Sequence, residues 1–198
     1  MLAKTPPTAS VAIILGLISL RRRCRSLTAI SKIPPIMIPF RVGIGYDSHR
    51  LIAGRKLILA GVEVPFERGL DGHSDADVIL HAISDAVCGA CGLPDIGRLF
   101  PDTDPKWQGA DSGLLLAQIV GKAHQAGWQI GNVDAVLIAQ KPKIADYVPQ
   151  MQTNLAKWLQ IPTECVNIRG KTAENLGALG AGLGMACHAV CVAVRAPE

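Results

Sequence analysis

The helix on which the fold depends is encoded in the stretch Asp71-Gly-His-Ser-Asp-Ala-Asp-Val-Ile-Leu-His-Ala-Ile-Ser-Asp85. Gly72 permits a turn, and Ser74 is a residue type that caps helices. From there, apolar side chains recur three and four residues apart as far as about Cys91, which predicts an amphipathic helix. We therefore expect a turn followed by a helix with one buried face.

Three polar residues share one face of this predicted helix. Asp77, His81 and Asp85 are four residues apart, so their side chains lie above one another. Two carboxylates beside an imidazole suit a metal ligand with outer-shell partners, although a single helical histidine is more often structural. His73 precedes the helix and would lie at its positively charged end, where phosphate binds readily.

The composition indicates a globular body with a basic extension. The chain has 198 residues, of which 49% are apolar and 4% aromatic, so its core must be built from aliphatic side chains. The net charge of +4 arises from residues 1–40, which hold six basic and no acidic residues, whereas the remainder holds 14 basic and 16 acidic residues. A body with this charge balance is not expected to bind nucleic acid.

Residues 1–39 are predicted to form an extension outside the folded domain. Their apolar run, residues 11–20, is shorter than the roughly 20 residues that span a bilayer, and its arginines follow it rather than precede it. Neither a membrane partner nor a secretory signal is therefore expected. Two interpretations remain open: a transit peptide, which implies a plastid protein, or a start assigned too early, with Met37 as the first residue of a cytoplasmic bacterial protein.

The six cysteines do not indicate a disulfide scaffold in a chain of this length, and a reducing compartment fits best. They are Cys24, Cys88, Cys91, Cys165, Cys187 and Cys191. The pair at 88 and 91 and the pair at 187 and 191 have spacings compatible with a zinc site. We expect the alternative, in which these side chains pack as small apolar groups near a helix end and on a strand.

The order of the predicted elements favours an α+β fold. Strands are predicted at residues 41–46, 57–64 (with a bulge or tight turn at Ala60 and Gly61), 128–139, 166–169 and 185–194. Helices are predicted up to Cys91, between Asp111 and Gly127, and over residues 145–159, with a long polar loop at 95–105 and a flexible segment at 178–184. We expect a mixed sheet of four or five strands with helices on one face. The last strand is nearly all apolar, which predicts burial on both faces, one of them against another copy of the chain.

Residues distant in the sequence can form one metal site. Asp47 and His49 are two residues apart at the end of the first strand, so both side chains face the same way in an extended segment. His81 from the helix would complete a set of two imidazoles and one carboxylate with an open position. Such a set suits Zn²⁺, Mn²⁺ or Fe²⁺ acting as a Lewis acid.

A second group of side chains suits phosphate. Glu174, with Thr172 nearby, could hold a harder cation such as Mg²⁺ among phosphate oxygens. Donors for anions are supplied by His73, Ser74, Thr172, Lys141 and Lys143, although the two lysines can equally be ordinary residues of a solvated loop. No Ser-His-Asp arrangement, P-loop or dinucleotide-binding glycine pattern is apparent in the sequence. The implied chemistry is metal-assisted transfer at phosphorus without a protein nucleophile.

Four motifs resemble those of the 2-C-methyl-D-erythritol 2,4-cyclodiphosphate synthase family. They are Arg41-Val-Gly-Ile-Gly-Tyr-Asp-Ser-His49, Gly72-His-Ser-Asp-Ala-Asp-Val-Ile-Leu-His81, Asp95-Ile-Gly-Arg-Leu-Phe-Pro-Asp-Thr-Asp-Pro105 and Gly131-Asn-Val-Asp134. The resemblance covers residues 41–194, in order and without large gaps. It implies a synthase domain at residues 40–196.

The resemblance also implies an activity and an assembly. The activity is that of a metal-dependent lyase of the non-mevalonate (MEP) pathway of isoprenoid (terpenoid) biosynthesis. The 2-phosphate of 4-diphosphocytidyl-2-C-methyl-D-erythritol 2-phosphate would attack the β-phosphorus, CMP would leave, and 2-C-methyl-D-erythritol 2,4-cyclodiphosphate would form. The assembly is a chorismate-mutase-like homotrimer whose sheets pack around a central axis, with active sites between subunits.

Matched position by position, the resemblance implies roles for individual residues. Asp47, His49 and His81 would bind one transition metal, zinc or manganese, and Glu174 would bind a second cation, Mg²⁺ or Mn²⁺, with the substrate diphosphate. His73 and Thr172 would stabilise the transition state. Residues 95–97 and 100–104 would hold the erythritol moiety, and residues 139–145 of the neighbouring subunit would hold cytidine. Together with Asp47, His49, His73, Thr172 and Glu174, the substrate contacts would be Ser48, Ser74, Asp95, Ile96, Gly97, Phe100, Pro101, Asp102, Thr103, Asp104, Ala139, Gln140, Lys141, Pro142, Lys143, Ile144, Ala145, Lys171, Ala173, Ala178 and Ala181.

The chain departs from the family pattern after Lys171. Ala173 replaces a threonine, and Ala181 and Leu183 replace the arginine and glutamate of the usual Phe-Thr-Gly-Arg-Gly-Glu-Gly run. The replacements bear on the binding of isoprenoid diphosphates in the central cavity, and Lys171 offers a substitute cation. Turnover is expected because the threonine and glutamate at 172 and 174 are kept. The alternatives are a non-catalytic trimer that binds nucleotide or diphosphate, and a metal phosphohydrolase of another kind.

Overall fold

A five-stranded mixed sheet is the centre of the structure, a computed structural model that describes residues 38–195. Its strands lie in the order β4 (Arg68–Leu70), β1 (Phe40–Ala53), β7 (Gly184–Arg195), β5 (Trp128–Ile138) and β6 (Val166–Lys171). Strands β5 and β6 are parallel, and the other neighbours are antiparallel. The expected α+β fold with a mixed sheet is confirmed, and the first strand is longer than predicted because it pairs with both β7 and β4.

The strand predicted at residues 57–64 is a two-stranded hairpin, β2 (Leu57–Leu59) and β3 (Val62–Val64). Ala60 and Gly61 join the two strands, and both have a left-handed backbone, with φ of 47° and 71°. Two consecutive residues of this kind form the tight turn that matches the twist of a hairpin. The interruption in the sequence pattern is therefore a turn rather than a bulge.

Five α-helices and three 3₁₀ turns connect the strands within residues 38–195. The helices are α1 (Val78–Cys91), α2 (Ile96–Leu99), α3 (Ser112–Gln125), α4 (Val148–Leu159) and α5 (Gly177–Gly180), and the 3₁₀ turns are Pro105–Trp107, Ala145–Tyr147 and Thr163–Cys165. Helix α3 begins as predicted, because the Asp111 carboxylate accepts hydrogen bonds from the amides of Gly113 and Leu114 at 2.8 and 3.3 Å. The loop at residues 95–105 is more regular than predicted, because Asp95 and Asp104 cap short turns within it.

Helix α1 begins three residues later than the Ser74 cap predicts. Asp77 is the cap: its Oδ1 accepts hydrogen bonds from the amides of Ile79 and Leu80, both at 3.1 Å. Its Oδ2 accepts a further bond from the amide of Gly61 at 2.8 Å. Asp77 is fully buried, and its oxygens are used by backbone donors. The prediction that Asp77 is an outer-shell partner of the helical histidine is therefore wrong.

Two glycines of β1 allow α1 to lie directly on the sheet. A Cβ atom at Gly45 would be 1.9 Å from the carbonyl oxygen of Ala82, and one at Gly43 would be 2.0 Å from that of Ala86. No side chain fits in so small a gap, so helix backbone and strand backbone are in contact. This close approach places His81, the residue before Ala82, beside the strand residues that follow Gly45.

The sheet has one face covered by helices and one apolar face without cover in the single chain. Val42, Ile44, Tyr46 and Val190 are 60%, 72%, 53% and 41% exposed, although all are large apolar or aromatic side chains. In the single chain the outward side chains His188 and Val190 of β7 are exposed, so burial of this face against another copy of the chain stays a prediction. An uninterrupted run of apolar residues hides the alternation of a strand whose outer face is also apolar.

The buried cysteines belong to the core. Cys88 and Cys91 in α1 and Cys187 and Cys191 in β7 are free thiols, and all four are buried. Burial raises the pKa of Cys91 to about 11 and that of the other three to about 12. Thiolates are the metal-binding form, and no cluster of metal-ligating side chains within residues 38–195 includes a cysteine. The packing interpretation is confirmed.

Residues 1–37 and 196–198 lie outside the described part of the chain. The extension predicted at residues 1–39 falls almost entirely within the first of these ranges. The two interpretations of the extension therefore stay predictions. Among residues 38–195, none of the helices has the length and apolar character needed to cross a membrane.

Candidate functional site

Three ligand atoms meet where β1 passes the first turns of α1. Asp47 Oδ2 lies 2.8 Å from His49 Nε2 and 3.0 Å from His81 Nδ1, and the two imidazole nitrogens are 3.1 Å apart. Ligands about 2.0–2.1 Å from a tetrahedral Zn²⁺ are about 3.3 Å from one another, so the triangle needs only a small expansion to hold an ion. The predicted convergence of Asp47, His49 and His81 is confirmed.

Hydrogen bonds on the far side of each ligand orient it toward the shared point. His49 Nδ1 donates to the carbonyl oxygen of Asp71 at 2.7 Å, so its Nε2 lone pair faces the cluster. Asp47 Oδ1 accepts from the Ser48 amide at 2.8 Å, which leaves Oδ2 for the cluster. His81 Nε2 lies 3.0 Å from the hydroxyl of Ser74 and 3.0 Å from a second hydroxyl, that of Ser112 on α3. Orientation of this kind is typical of metal ligands.

The electrostatics of the cluster favour a cation. Burial alone would raise the pKa of the Asp47 carboxyl, but hydrogen bonds with His49 and His81 and the charges of these rings hold it well below its usual range. Burial alone would lower the pKa of His49, but the Asp47 carboxylate and the Asp71 carbonyl raise it above its ordinary value. An ionised carboxylate beside two imidazole nitrogens that can act as ligands therefore fits a divalent transition metal.

A cavity of about 450 Å³, the metal-side pocket, opens beside the three ligands. The predicted substrate residues that line it are Asp47, His49, His73, Ser74, Ile96, Gly97, Phe100 and Asp102. Trp107 and Leu115 also line it and were not predicted, because each matches only a turn or core pattern in the sequence. The Trp107 ring packs edge-on against Phe100, with the ring centres 4.9 Å apart.

Several predicted substrate residues lie beside the metal-side pocket rather than on its wall. Ser48 is exposed, and it alternates with Asp47 and His49 along β1, which turns its side chain to the outer face. The others belong to the loop that follows α1: Asp95, Pro101, Thr103 and Asp104. Within that loop, the carboxylate of Asp95 caps α2 and that of Asp104 caps the next turn.

Asp85 makes no hydrogen bond with His81, so the prediction that it is an outer-shell partner of this histidine is wrong. Its Oδ1 accepts a hydrogen bond from the Ile96 amide at 2.8 Å, which ties the loop at 95–105 to α1. Burial raises the pKa of the Asp85 carboxyl, although the Ile96 amide opposes this shift. The four-residue spacing on the helix is real, but the outer-shell partners of His81 are hydroxyl groups from other elements.

Arg55 holds the loop that carries His73. Its guanidinium donates to the carbonyl oxygens of Gly72 and Ser74, at 2.7 and 2.9 Å, on either side of His73. The carbonyl of His73 itself accepts a hydrogen bond from the Gly109 amide at 2.9 Å. His73 is therefore placed by a clamped loop and not by the end of α1, which begins five residues later. No local pattern indicates a role for Arg55, because its partners are 17 and 19 residues away in the sequence.

A second cavity, the apolar pocket, has a volume of about 640 Å³ and lies at the ends of β5 and β6. The predicted substrate residues that line it are Ala139, Gln140, Pro142, Lys143, Ile144, Ala145, Lys171 and Thr172. Its walls are completed by Leu137, Val148, Ile168, Arg169 and Gly170. The predicted residues Lys141, Ala173, Glu174, Ala178 and Ala181 do not line it.

The turn after β6 carries Thr172 and Glu174 at the edge of the apolar pocket. The Thr172 hydroxyl donates to the Glu174 carboxylate, and the side-chain amide of Gln140 donates to Asn175 at 2.8 Å. Glu174 and Asn175 both have a left-handed backbone, with φ of 49° and 62°. Glu174 is exposed and is not part of the three-residue ligand cluster, so any cation that it binds occupies a separate position.

The two pockets are separate in one chain and share no lining residue. Across the sheet, Asp47 pairs with Cys187, Cys187 with Leu137, and Leu137 with Gly170. Leu137 and Gly170 both line the apolar pocket, so two strand spacings, roughly 10 Å, separate Asp47 from the nearer of them. His73 and Thr172, the two residues predicted to stabilise a transition state, belong to different pockets.

Comparisons with known proteins show the family to which the chain belongs. A family model described as the YgbB family matches residues 40–194. A protein of Ralstonia pickettii named 2-C-methyl-D-erythritol 2,4-cyclodiphosphate synthase is 57% identical over 156 residues, which cover 79% of this chain and 93% of the relative. A protein of the same name from Geotalea daltonii is 54% identical over 158 residues, 80% of this chain and 92% of the relative.

Solved structures are similar over the same region. A structure described as 2C-methyl-D-erythritol-2,4-cyclodiphosphate synthase has a TM-score of 0.72 and 37% identity, and the match covers 77% of this chain and 99% of that one. The CDP complex of IspF from Plasmodium falciparum has a TM-score of 0.71 and 32% identity, with 80% and 97% covered. Bifunctional IspDF from Campylobacter jejuni has a TM-score of 0.76 and 39% identity, over 79% of this chain and 42% of that one.

Proposed function

Because the chain belongs to the YgbB family, whose model matches residues 40–194, we propose that it is a 2-C-methyl-D-erythritol 2,4-cyclodiphosphate synthase. The family resemblance predicted from the four sequence motifs is confirmed, and the relatives' names give no support to a non-catalytic trimer. The observation that carries the activity is the convergence of Asp47, His49 and His81 on one point beside a cavity.

The reaction is an intramolecular phosphoryl transfer in the MEP pathway. An oxygen of the 2-phosphate of 4-diphosphocytidyl-2-C-methyl-D-erythritol 2-phosphate attacks the β-phosphorus and forms a new P–O bond. The bond from the β-phosphorus to the bridging oxygen breaks, so that CMP leaves with that oxygen and its electron pair. No group of the protein is bonded to phosphorus at any stage, and the protein must therefore orient the substrate and stabilise charge.

The metal-side pocket provides charge stabilisation. Asp47, His49 and His81 would hold one divalent transition metal, zinc or manganese, because two nitrogens and one ionised oxygen are already oriented toward a common point. When bound, such an ion supplies positive charge to the diphosphate oxygens on which negative charge develops. His73 lies in the same cavity on its clamped loop, where its ring can donate to a phosphate oxygen.

The apolar pocket provides recognition of the leaving group. Its volume and its walls of Leu137, Ile144 and Ile168 suit the flat face of a cytosine base, and residues 139–145 supply backbone polar groups. Thr172 lines the same pocket and can donate its hydroxyl to the diphosphate, in place of its bond to Glu174. Lys143 and Lys171 contribute positive charge near the phosphates.

A homotrimer would unite the two pockets. The outer sheet face around Val42, Ile44 and Val190 is apolar and uncovered in one chain, and exposure of this kind marks an interaction surface. In a cyclic trimer, each interface joins two different surface regions of the same chain, so the metal-side pocket of one subunit can meet the apolar pocket of the next. The separation of His73 and Thr172 within one chain supports this arrangement.

A second cation would join the substrate diphosphate at Glu174. The carboxylate is exposed at the edge of the apolar pocket, and Mg²⁺ or Mn²⁺ commonly binds one carboxylate together with substrate phosphates. Ala181 and Leu183, which stand in place of the arginine and glutamate of the family pattern, lie outside both pockets, and both are exposed. We therefore expect turnover without the arginine and glutamate of the family pattern. The reaction would occur in a bacterial cytoplasm, or in a plastid if residues 1–39 are a transit peptide.

Incubation of the protein with substrate, Zn²⁺ and Mg²⁺ tests the proposal. We expect CMP by chromatography and a cyclic diphosphate by ³¹P NMR in equal amounts. Release of inorganic phosphate without a ring would instead indicate a phosphohydrolase. Binding of CMP by calorimetry with no turnover would indicate a non-catalytic nucleotide-binding protein.

A further inference from the structure

We propose that Asp75, acting through the hydroxyl of Ser112, is a positioning residue that fixes the ring of His81 in the tautomer that can bind the metal. The inference rests on the proposed metal site, and it assigns a task to two residues outside the ligand set. Asp75 and Ser112 lie 37 residues apart in the sequence and are in contact at the start of α3.

Asp75 binds Ser112 with both carboxylate oxygens. Oδ1 accepts a hydrogen bond from the Ser112 hydroxyl, and Oδ2 accepts one from the Ser112 amide at 3.1 Å. The amide of Asp75 donates to the carbonyl of Ala110 at 3.2 Å, which fixes its backbone to the segment before α3. Ser112 is only 1% exposed, so solvent does not compete for its hydroxyl.

This pairing decides which way the Ser112 hydroxyl faces. A serine hydroxyl has one proton and two lone pairs, and here the proton points to Asp75. The oxygen, 3.0 Å from His81 Nε2, can therefore only accept a hydrogen bond from it. The ring proton is held on Nε2, and the lone pair on Nδ1 faces Asp47 and His49.

Without Asp75 the orientation of His81 would be ambiguous. The hydroxyl of Ser74 is also 3.0 Å from His81 Nε2 and 3.3 Å from the Ser112 hydroxyl. Either serine could then donate to Nε2, and the ring proton would move to Nδ1, where it would hydrogen bond to Asp47 and exclude a cation. The acidic partner removes this alternative for Ser112, which gives its only proton to the carboxylate, and it leaves the Ser112 oxygen as an acceptor for the Ser74 hydroxyl at 3.3 Å.

The test compares Asp75→Asn with Asp111→Asn, which removes a carboxylate at the start of the same helix but does not contact His81. We expect the affinity for Zn²⁺, measured by competition with a chromophoric chelator, to fall about 10–100-fold in D75N and to stay within about twofold of the parent value in D111N. Ser112→Ala should weaken binding similarly, and the D75N/S112A double variant should lose no more than the larger single loss, since both act by one route.

A second readout reports the tautomer directly. In the metal-free protein labelled with ¹⁵N-histidine, the His81 ring, assigned by its absence in His81→Ala, should show Nε2–H in the parent and a shift toward Nδ1–H in D75N. A parent-like zinc affinity or an unchanged tautomer in folded D75N overturns the inference. Neither readout uses substrate, so a parent protein that binds zinc but releases no CMP would refute the proposed function and leave this inference intact.

Discussion

The metal-side pocket and the apolar pocket are built on different principles. In the metal-side pocket each ligand side chain is oriented by hydrogen bonds from the same chain, as with His49 and the Asp71 carbonyl. The apolar pocket has aliphatic walls, and among residues 38–195 no ion pair involves its lysines, Lys143 and Lys171. The metal-side pocket holds polar groups at fixed positions where they can bind a charged group. The apolar pocket is suited to a ligand group by its shape.

Because the two pockets are built differently, substitutions in one should not impair the function of the other. Damage to the metal-side pocket should remove bound metal and turnover together, because the ligands are mutually dependent. Damage to the apolar pocket should reduce turnover while zinc remains bound. Measurements of zinc affinity and CMP release on the same variants therefore distinguish the two regions.

The largest effect is expected for His81→Ala. Loss of one of three ligands should remove bound zinc and lower the rate of CMP release by about 10³-fold or more, because charge on the diphosphate is no longer stabilised. Zinc content by elemental analysis and CMP by chromatography give the two values. His124→Ala on the exposed part of α3 is the control, and stoichiometric zinc in folded H81A would contradict the assignment.

Thr172→Val should affect only the apolar pocket. Removal of one hydroxyl donor near the transferring phosphoryl group should lower the rate about 10²-fold. The affinity for Zn²⁺ should equal that of the parent, because Thr172 does not line the metal-side pocket. Thr153→Val on α4 is the matched control, and a parallel loss of zinc in T172V would show that the two pockets are not independent.

Gly45→Ala should disturb the metal-side pocket through packing alone. Its Cβ would lie 1.9 Å from the Ala82 carbonyl oxygen, so α1 must move away from β1. We expect a loss of about 1–3 kcal/mol in the free energy of unfolding and weaker zinc binding. Gly121→Ala, where a Cβ meets nothing within 4 Å, should instead stabilise α3 slightly. Equal denaturation midpoints for G45A and the parent would contradict the close helix–strand contact.

The smallest effect on metal binding is expected for the double variant that combines Cys88→Ala and Cys91→Ala. Their thiols are buried in the core, so the double variant should bind as much zinc as the parent while losing about 1–2 kcal/mol of stability. Zinc content and chemical denaturation measure the two quantities. A drop in zinc content would restore the cysteine site as an alternative.

Local patterns allowed much of the fold to be predicted. The spacing of apolar residues located α1, the cap at Asp111 located α3, and the two-residue period of β1 placed Asp47 and His49 on one face. His81 could be joined to them because it completes a transition-metal ligand set of two imidazoles and one carboxylate, and the family motifs then implied the same three residues. The set of three metal ligands could therefore be predicted from the sequence.

The outer-shell residues could not be predicted from the sequence, because their partners are distant in the chain. Helical spacing favoured Asp77 and Asp85 as partners of His81, but backbone amides occupy both carboxylates. The hydroxyl of Ser112 and the guanidinium of Arg55 contact residues 17 to 37 positions away, and only the folded chain brings them together. The apolar composition of β7 likewise did not reveal which of its faces is covered.

Co-assembly of two impaired variants is the measurement that best shows whether the two pockets form one site between subunits. His81→Ala damages only the metal-side pocket and Thr172→Val only the apolar pocket. If each site combines one pocket from each of two neighbours, equal co-expression should give about one-quarter of the sites with both halves intact, and therefore about one-quarter of the parent rate of CMP release. A rate no higher than that of the two variants assayed separately would contradict the shared site.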